Sequence, residues 1–418
     1  MHYPGLPFLV ALLGLTATAQ PAYDLVIQGG HVIDPKNNRN GVMDVAIAGG
    51  RIALVAPKIA AGSAKRTISA AGLYVTPGLI DVHVHVYAGT GLKGLTGDTS
   101  VYPDTFSFRT GVTTMVDAGT SGWRNFPDFR QRVIERARTR VLAFLNISAV
   151  GMAPQGENNP SDMDVDQAVK MIQANRDVIV GLKVAHFAHG GWLDVENAVK
   201  AGTATKTPVM VDFGMTDKER NLSALLLDKL RLGDIYTHCY SGRRMEVLAG
   251  GALNPVMKAG RARGVLFDLG HGGGSFYWPV AMPAFQQKFY PDTISTDLHT
   301  GSMNAGMKDM VNVMSKTLAM GAPLEEIIRM STWNAAKEIQ RPELGNLDVG
   351  AEADVTVLRV EKGQFGFLDS AGARMAANER LVAELTIRKG AIVWDLNGLA
   401  ATDWKAYSYK KNVPEILK

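Results

Sequence analysis

Eight apolar runs rich in β-branched residues recur along the middle of the chain, and their spacing limits the fold more than any other feature. They begin near residues 78, 112, 141, 178, 209, 235, 265 and 293, so successive runs start 26 to 37 residues apart. The segments between them, such as 165–175, 222–230 and 245–264, carry apolar residues at three- and four-residue spacing, which predicts helices. Residues 77–335 number 259, close to the roughly 250 of a typical (β/α)₈ barrel. The sequence therefore predicts an α/β protein built on a TIM barrel.

Both ends of the chain carry a different pattern, in which short strands alternate with turn residues. Four strands are expected at 23–28, 31–33, 44–48 and 51–55, and a further strand ends at Val75. Strands are expected again at 354–358, 381–388 and 391–395. We predict that the two ends pair with each other. Residues 20–76 and 336–418 would then form one small β-sandwich domain beside a barrel of residues 77–335.

The amino terminus has the pattern of a targeting segment. Residues 6–15 form a short apolar run, and Ala17-Thr18-Ala19 has the small-x-small pattern of a cleavage site. A spanning helix needs about 20 apolar residues, which this run does not reach. We predict that residues 1–19 are a signal peptide cleaved after Ala19, and that the mature protein is secreted or periplasmic without stable membrane insertion. No Lys or Arg precedes the run, so an uncleaved anchor stays open.

The cysteine content and the charge exclude several kinds of site and partner. With one cysteine, Cys239, the chain has no intramolecular disulfide framework and no cysteine-rich zinc site, so nitrogen and oxygen atoms must hold any metal. A formal net charge of +4 without a long Lys/Arg run is too weak for a nucleic-acid-binding surface. These observations argue against a nucleic-acid partner. The expected partner is a small-molecule substrate, and a homo-oligomer stays open.

Two histidines end the first predicted barrel strand on the same face. Alternate residues of a strand share a face, so Asp81, His83 and His85 point the same way. Two imidazoles at this spacing favour a metal site over hydrogen-bonded core histidines. Further polar residues fall late in the following strands, where the catalytic groups of a barrel converge: Lys183, Asp212, His238 and Asp297.

This set of residues resembles the amidohydrolase superfamily of metal-dependent hydrolases, within its dihydroorotase-like and deacetylase-like branch. The resemblance covers nearly the whole mature chain. It rests on the segment 77–85, on Gly111-Val112-Thr113-Thr114, on Lys183, His238 and Asp297 in order, and on the segment 345–354, which is similar to the family's return into the β domain. The HxH strand alone is moderately specific, whereas the ordered set is highly specific.

The resemblance implies a centre with two divalent metals. His83 and His85 would bind one metal, and Lys183, carboxylated by CO₂, would bridge it to a second metal bound by His238. An ammonium has no lone pair to donate, whereas a lysine carbamate is an anionic ligand with two oxygens. Asp297 would contact a metal and exchange protons with the bridging water, which two cations acidify. Zinc is the expected metal, with manganese and iron as alternatives.

The fifth strand departs from the family's pattern. The family commonly has a histidine there, whereas this chain has Asp212. A carboxylate is a competent oxygen ligand, so Asp212 is expected to bind the second metal and to make that site more anionic. The alternative is that the second metal is weak or absent, and that Asp212 orients a water or a substrate amine.

Polar residues on the loops are candidates for substrate binding. The segment 268–275 follows the seventh strand and is rich in glycine, so its backbone N–H groups can bind a carboxylate or carbonyl oxygen. His271 is the preferred contact, with Gly272 beside it. Weaker candidates are His299, Arg124 and Tyr240, while His186 and His189 fit support of the site and a surface position equally well. The segment 87–109 is a candidate lid.

The sequence thus predicts an enzyme, a metal-dependent amidohydrolase that cleaves an amide-type bond in a cyclic amide or an N-acyl group, or an ester. Hydroxide formed at the metal would attack the carbonyl, and Asp297 would act as general acid and base. Two alternatives stay open. One is a non-catalytic binding protein that keeps this fold, and the other is a metal-dependent lyase or isomerase on the same barrel.

Overall fold

The computed structural model describes residues 1, 22–60, 62–89, 91, 99–153, 157–212, 214 and 216–409. The predicted signal peptide, apart from Met1, lies outside the described residues, as do residues 90 and 92–98 of the candidate lid. Within the described ranges, none of the helices combines the length and the apolarity that crossing a membrane requires.

The strands before the barrel are β1 (Tyr23–Asp34), β2 (Arg39–Ala48), β3 (Arg51–Ala56), β4 (Ala64–Ser69) and β5 (Tyr74–Pro77). Their side chains alternate between two faces, because Leu25 and Ile27 belong to one buried cluster and Val26 to another. A register shift between Ile27 and Gly30 lets β1 continue where the sequence predicts a break.

The strands of the barrel are β6 (Leu79–Val84), β7 (Val112–Gly122), β8 (Arg140–Asn146), β9 (Ile179–Val184), β10 (Val209–Val211), β11 (Ile235–Tyr236) and β12 (Leu266–Phe267). They are parallel and pair in chain order from β6 to β12. β6 and β9 are buried along their whole length, as parallel strands are when helices cover one face and packed side chains the other.

The segment 293–298 closes the barrel. It forms parallel bridges to Asp268, just after β12, and to Val84 of β6. The main-chain N–H of Asp297 donates to the carbonyl oxygen of His83 over 2.7 Å. The eighth apolar run therefore joins the last strand to the first, and the predicted TIM barrel is confirmed.

The helices are α1 (Phe126–Phe129), α2 (Val165–Ala174), α3 (Leu193–Thr205), α4 (Leu222–Ala224), α5 (Pro255–Ala262), α6 (Trp278–Gln286), α7 (Thr300–Met303), α8 (Met310–Ala319), α9 (Leu324–Ser331) and α10 (Trp333–Glu338). The helix predicted over 245–264 is shorter than expected. Asn254 caps α5, Pro255 is its first residue, and Gly250 and Gly251 turn the preceding chain with φ of 86°. No pattern predicted α6, which contains Pro283.

The chain returns to the first sheet through β13 (Val355–Leu368), β14 (Arg374–Arg388) and β15 (Ala391–Asp395). Hydrogen bonds join the sheet in the order β15-β14-β13-β5-β1-β2-β3, with β4 beside β1, so both chain ends build it as predicted. β13 and β14 form a longer hairpin than expected, because exposed charged residues such as Lys362 and Arg380 hide the apolar alternation of its outer half.

Candidate metal centre

A cavity with a volume of about 630 Å³ opens among the loops that follow the barrel strands. All of the ligand candidates that the sequence predicts line this cavity: His83, His85, Lys183, Asp212, His238 and Asp297. They lie on or just after strands β6, β9, β10 and β11 and on the closing segment 293–298. The carboxyl ends of barrel strands are where catalytic groups converge, so the cavity is the candidate active site.

The imidazoles of His83 and His85 are held from behind by hydroxyl groups. His83 Nδ1 lies 2.9 Å from Thr237 Oγ1, and His85 Nδ1 lies 2.9 Å from Thr120 Oγ1. Each ring then presents Nε2 to Asp297, whose Oδ1 is 3.0 Å from His85 and 3.6 Å from His83. Burial lowers the pKa of His83 to about 3, so this ring is neutral near pH 7 and has a lone pair for a metal.

Asp297 lies near the end of the closing segment in a left-handed backbone conformation, with φ of 50°. Burial alone would raise the pKa of Asp297, but the neighbouring His83 and His85 lower it overall, so the group is a carboxylate. Gly272 packs directly against it, and a β-carbon there would lie 2.3 Å from Asp297 Oδ2. A side chain at residue 272 would therefore displace this carboxylate.

Lys183 and His238 lie on the other side of His83. Lys183 Nζ is 3.0 Å from His83 Nε2, and burial lowers the pKa of Lys183. His238 Nδ1 lies 2.6 Å from the carbonyl oxygen of Gly270, which leaves its Nε2 3.3 Å from Asp212 Oδ2. The imidazoles of His83 and His238 are thus held in the same way: Nδ1 of each ring is hydrogen-bonded, and Nε2 faces the cavity.

Asp212 has a partner that the sequence analysis missed. Arg244 Nη2 donates to Asp212 Oδ1, and Arg244 also lines the cavity. Burial alone would raise the pKa of Asp212, but the Arg244 guanidinium, with His238, holds it well below its ordinary value. The signal in the sequence is the adjacent pair Arg243-Arg244 after the sixth strand, but the pair does not show which arginine turns inward.

His186 lies at the edge of the same half of the site. Its Nδ1 is 3.2 Å from Glu157 Oε2, and its Nε2 is 3.7 Å from Asp212 Oδ2. Glu157 is buried, which raises its pKa, and no sequence pattern singles it out. His186 therefore supports the site, whereas His189 is exposed.

Of the remaining substrate candidates, His299 lies on the cavity wall. Its ring is 6.3 Å from that of His85, and its Nδ1 accepts from the main-chain N–H of Gly301, which caps α7. Gly273 and Gly274, from the glycine-rich segment, line the wall beside it.

Gly272, which packs against Asp297, is not among the residues that line the cavity, and neither are the other three substrate candidates. His271 is fully buried; its Nε2 lies 2.7 Å from Lys316 Nζ, and its ring stacks on Phe276 at 4.6 Å. The hydroxyl of Tyr240 donates to a main-chain carbonyl over 2.8 Å in the interior. Arg124, with 52% of its side chain exposed, pairs with an aspartate outside the cavity. Sequence spacing placed these residues near the strand ends, but packing turns their side chains away.

The tip of the β13–β14 hairpin fixes the glycine-rich wall of the cavity. The N–H of Ser370 donates to the carbonyl oxygen of Phe276 over 2.9 Å, and the N–H of Trp278 donates to Asp369 Oδ2 over 3.3 Å. Because residues 273–275 line the cavity, the β domain supports the active site from outside the barrel.

A TIM barrel with an HxH strand, a buried lysine and an aspartate on the closing strand defines a metal-dependent hydrolase. The model of the amidohydrolase family matches residues 283–392. A deacetylase from Agrobacterium fabrum is 34% identical over 339 residues, which cover 79% of this chain and 81% of that protein. A deacetylase from Enterococcus faecalis is 31% identical over 381 residues, which cover 88% and 99%. The chain belongs to the amidohydrolase family.

Solved structures support the same assignment. A crystal structure described as that of an adenine deaminase superposes with a TM-score of 0.80 at 31% identity, over 89% of this chain and all of the other. One described as a dihydroorotase gives 0.78 at 29% identity, over 89% and 99%. The chain is therefore a metal-dependent hydrolase of amide-type carbon–nitrogen bonds, which confirms the predicted class of function.

The two halves of the centre fit a metal ion unequally. His83 Nε2 and His85 Nε2 face Asp297 Oδ1 at 3.6 Å and 3.0 Å, and His238 also offers a ligand atom within 4.8 Å of those of His83 and Asp297. Imidazoles with a carboxylate are donors that suit zinc. Asp212, in contrast, already neutralises a guanidinium through Oδ1. The donor set around His83, His85 and Asp297 thus fits a divalent cation, whereas the set around Asp212 is already compensated.

Proposed function

We propose that this hydrolase is a deacetylase, which removes a short acyl group from a nitrogen atom of a small molecule with zinc held by His83, His85 and Asp297. The observation that carries the proposal is the convergence of these three side chains in a cavity of about 630 Å³, a size that suits a small molecule. Two relatives named deacetylase, which align over most of their length, favour an acyl substrate.

Hydrolysis of a cyclic amide is the second candidate. A structure described as a dihydroorotase, at 29% identity and a TM-score of 0.78, supports it. The same residues serve both reactions, because each one adds water across a carbonyl–nitrogen bond.

In either reaction Asp297 moves the proton. A divalent metal at this centre would supply Lewis-acid activation of the carbonyl and of water. Asp297, which its surroundings keep as a carboxylate, accepts a proton from the attacking water and returns it to the leaving nitrogen. Thr237 and Thr120 hold His83 and His85 in the orientation that points both Nε2 atoms towards Asp297.

Lys183 carries a carbamate in this proposal. Burial lowers the pKa of Lys183, which favours the neutral amine that adds CO₂; a nitrogen–carbon bond forms and one proton leaves. The unmodified amine, 3.0 Å from His83 Nε2, competes with a metal for that nitrogen. Carbon-13 NMR after incubation with labelled bicarbonate should show a carbamate signal that Lys183→Ala lacks. Absence of that signal from the metal-loaded wild type would contradict the modification.

A substrate panel tests the reaction itself. Zinc-loaded protein, incubated with bicarbonate, is offered N-acetyl amino acids, cyclic amides and acetyl esters, with chelator-treated protein as the control. We expect hydrolysis of N-acetyl compounds, with a product that has gained the mass of one water. A product of unchanged mass would indicate an isomerase. No turnover together with no bound metal would favour the binding protein.

We also propose export, which the leader-like residues 1–19 support. Expression of the whole chain in a bacterial host, followed by fractionation and amino-terminal sequencing, should yield periplasmic protein that begins at Gln20. Protein that keeps Met1 and stays in the cytoplasm would contradict this localisation.

A further inference from the structure

Arg244 is built into the active site rather than placed loosely on its rim. The loop after β11 is anchored by Glu246, whose Oε1 accepts from the hydroxyls of Tyr236 and Ser241, each over 2.8 Å. Glu246 Oε2 accepts from the main-chain N–H of Arg244 over 3.2 Å. Arg244 is 7% exposed, so its guanidinium is held at the cavity wall by a buried network.

This guanidinium lies where the family's second metal would need its ligands. Arg244 Nη2 donates to Asp212 Oδ1, and Asp212 Oδ2 lies 3.3 Å from His238 Nε2. A cation bound by Asp212 and His238 would therefore share one carboxylate with an arginine that carries a permanent positive charge. Two cations on one carboxylate repel each other, and burial strengthens that repulsion.

Among the described residues, Asp297 has no such competitor. In the described part of the chain, no Lys or Arg lies within ion-pair distance of Asp297, whose close partners are the imidazoles of His83 and His85. Both halves of the centre thus offer imidazole and carboxylate, but only the half around Asp297 leaves its negative charge for a metal ion.

We propose that the Arg244 guanidinium takes the place of the second metal ion, so that this centre binds one metal tightly, at His83, His85 and Asp297. The proposal rests on the proposed function for the existence of a catalytic metal and goes beyond it in assigning Arg244. Arg244 compensates Asp212 as a second cation would, and it presents a positive charge to the same cavity. This chain then differs from the family's pattern in two linked ways: Asp212 replaces the histidine, and Arg244 turns inward to pair with it.

Metal content of the wild type is the first test. The full chain is stripped with a chelator, reconstituted with zinc and bicarbonate, dialysed, and measured by mass spectrometry of the metal. We expect about one zinc per chain, and a second addition in calorimetry that binds at least about 100-fold more weakly. Two tightly bound ions in the wild type would overturn the proposal. The readout does not depend on turnover, so it stands or fails separately from the deacetylase proposal.

Arg244→Met provides the second test, because it removes the charge and frees Asp212. We expect its zinc content to rise towards about two per chain, and the double variant Arg244→Met/Asp212→Ala to return to about one. Arg243→Met is the matched control: it removes the neighbouring exposed arginine and should keep the wild-type content. An Arg244→Met protein that stays at the wild-type content would overturn the proposal. If Arg244→Met fails to fold, Arg244→Gln, which keeps a hydrogen-bonding group without charge, carries the same expectation.

Discussion

The two halves of the metal centre use similar donors in different electrostatic settings. On one side, His83 and His85 are backed by threonine hydroxyls and face Asp297, which has no arginine partner among the described residues. On the other side, His238 faces Asp212, whose charge Arg244 already compensates. Donor type alone therefore does not define a metal site, because the charge that remains available to a cation decides whether it binds.

The largest effect is expected from Asp297→Asn. The amide keeps the shape of the side chain but cannot accept the proton, so kcat should fall about 10³-fold, within the range of general acid–base catalysis. Steady-state kinetics on zinc-loaded protein measures this, and the thermal midpoint of unfolding serves as the control for folding. Turnover close to that of the wild type would remove Asp297 from the mechanism.

The comparison is tested directly by a matched pair of histidine variants. His85→Ala removes a ligand from the half that binds metal, and its zinc affinity should fall at least about 100-fold. His238→Ala removes the corresponding imidazole from the half that Arg244 occupies, and its affinity should change by less than about tenfold. Competition with a fluorescent zinc chelator measures both. Equal losses in the two variants would abolish the distinction between the halves.

A smaller effect is expected at the hydroxyl behind His85. Thr120→Val keeps the volume but removes the hydrogen bond that orients the imidazole, so zinc affinity should fall about 10- to 100-fold. Thr203→Val, at an exposed position on α3, is the control and should leave the affinity unchanged. An unaltered affinity in Thr120→Val would show that packing alone orients His85.

The smallest expected effect is on the pH dependence of stability. It arises at the glycine-rich segment 268–275, part of which lies beside Asp297. Lys316 lies beneath that segment, with Nζ 2.7 Å from His271 Nε2, and burial lowers the pKa of Lys316 from 10.5 to about 7. Between these two values the unfolded chain holds a proton that the folded chain lacks, so the free energy of unfolding should rise as pH rises from 7 to 10.5. The cost of the buried charge is fully present below pH 7.

Lys316→Met should reduce this pH dependence of stability. Between pH 7 and 10.5, the thermal midpoint of unfolding should rise by a few degrees less in the variant than in the wild type. Lys170→Met, at an exposed position on α2, should keep the wild-type slope. Equal slopes in the wild type and Lys316→Met would show that this amine does not titrate in the window.

The barrel and the positions of its polar strand ends were predictable because they depend on periodicity. Runs at a strand–helix spacing set β6 to β12, and alternation along β6 placed His83 and His85 on one face. The eighth run was equally clear, although 293–298 joins the barrel through bridges rather than as a long strand. These features are local or repeat regularly, so they can be predicted from a single sequence.

What the sequence could not show depends on which way side chains turn in loops. His271 was the preferred substrate contact, yet Lys316 and Phe276 hold it in the interior. Arg244 was missed because its role arises from contact with Asp212, 32 residues earlier in the chain. Such pairings depend on tertiary packing, and neither composition nor spacing encodes them.

The most direct test of the unequal centre is anomalous diffraction from crystals of the zinc-loaded wild type. We expect one strong peak, coordinated by His83 Nε2, His85 Nε2 and the Asp297 carboxylate, with Arg244 still bonded to Asp212. Two peaks of similar height, with the guanidinium displaced from Asp212 by the second ion, would contradict this expectation.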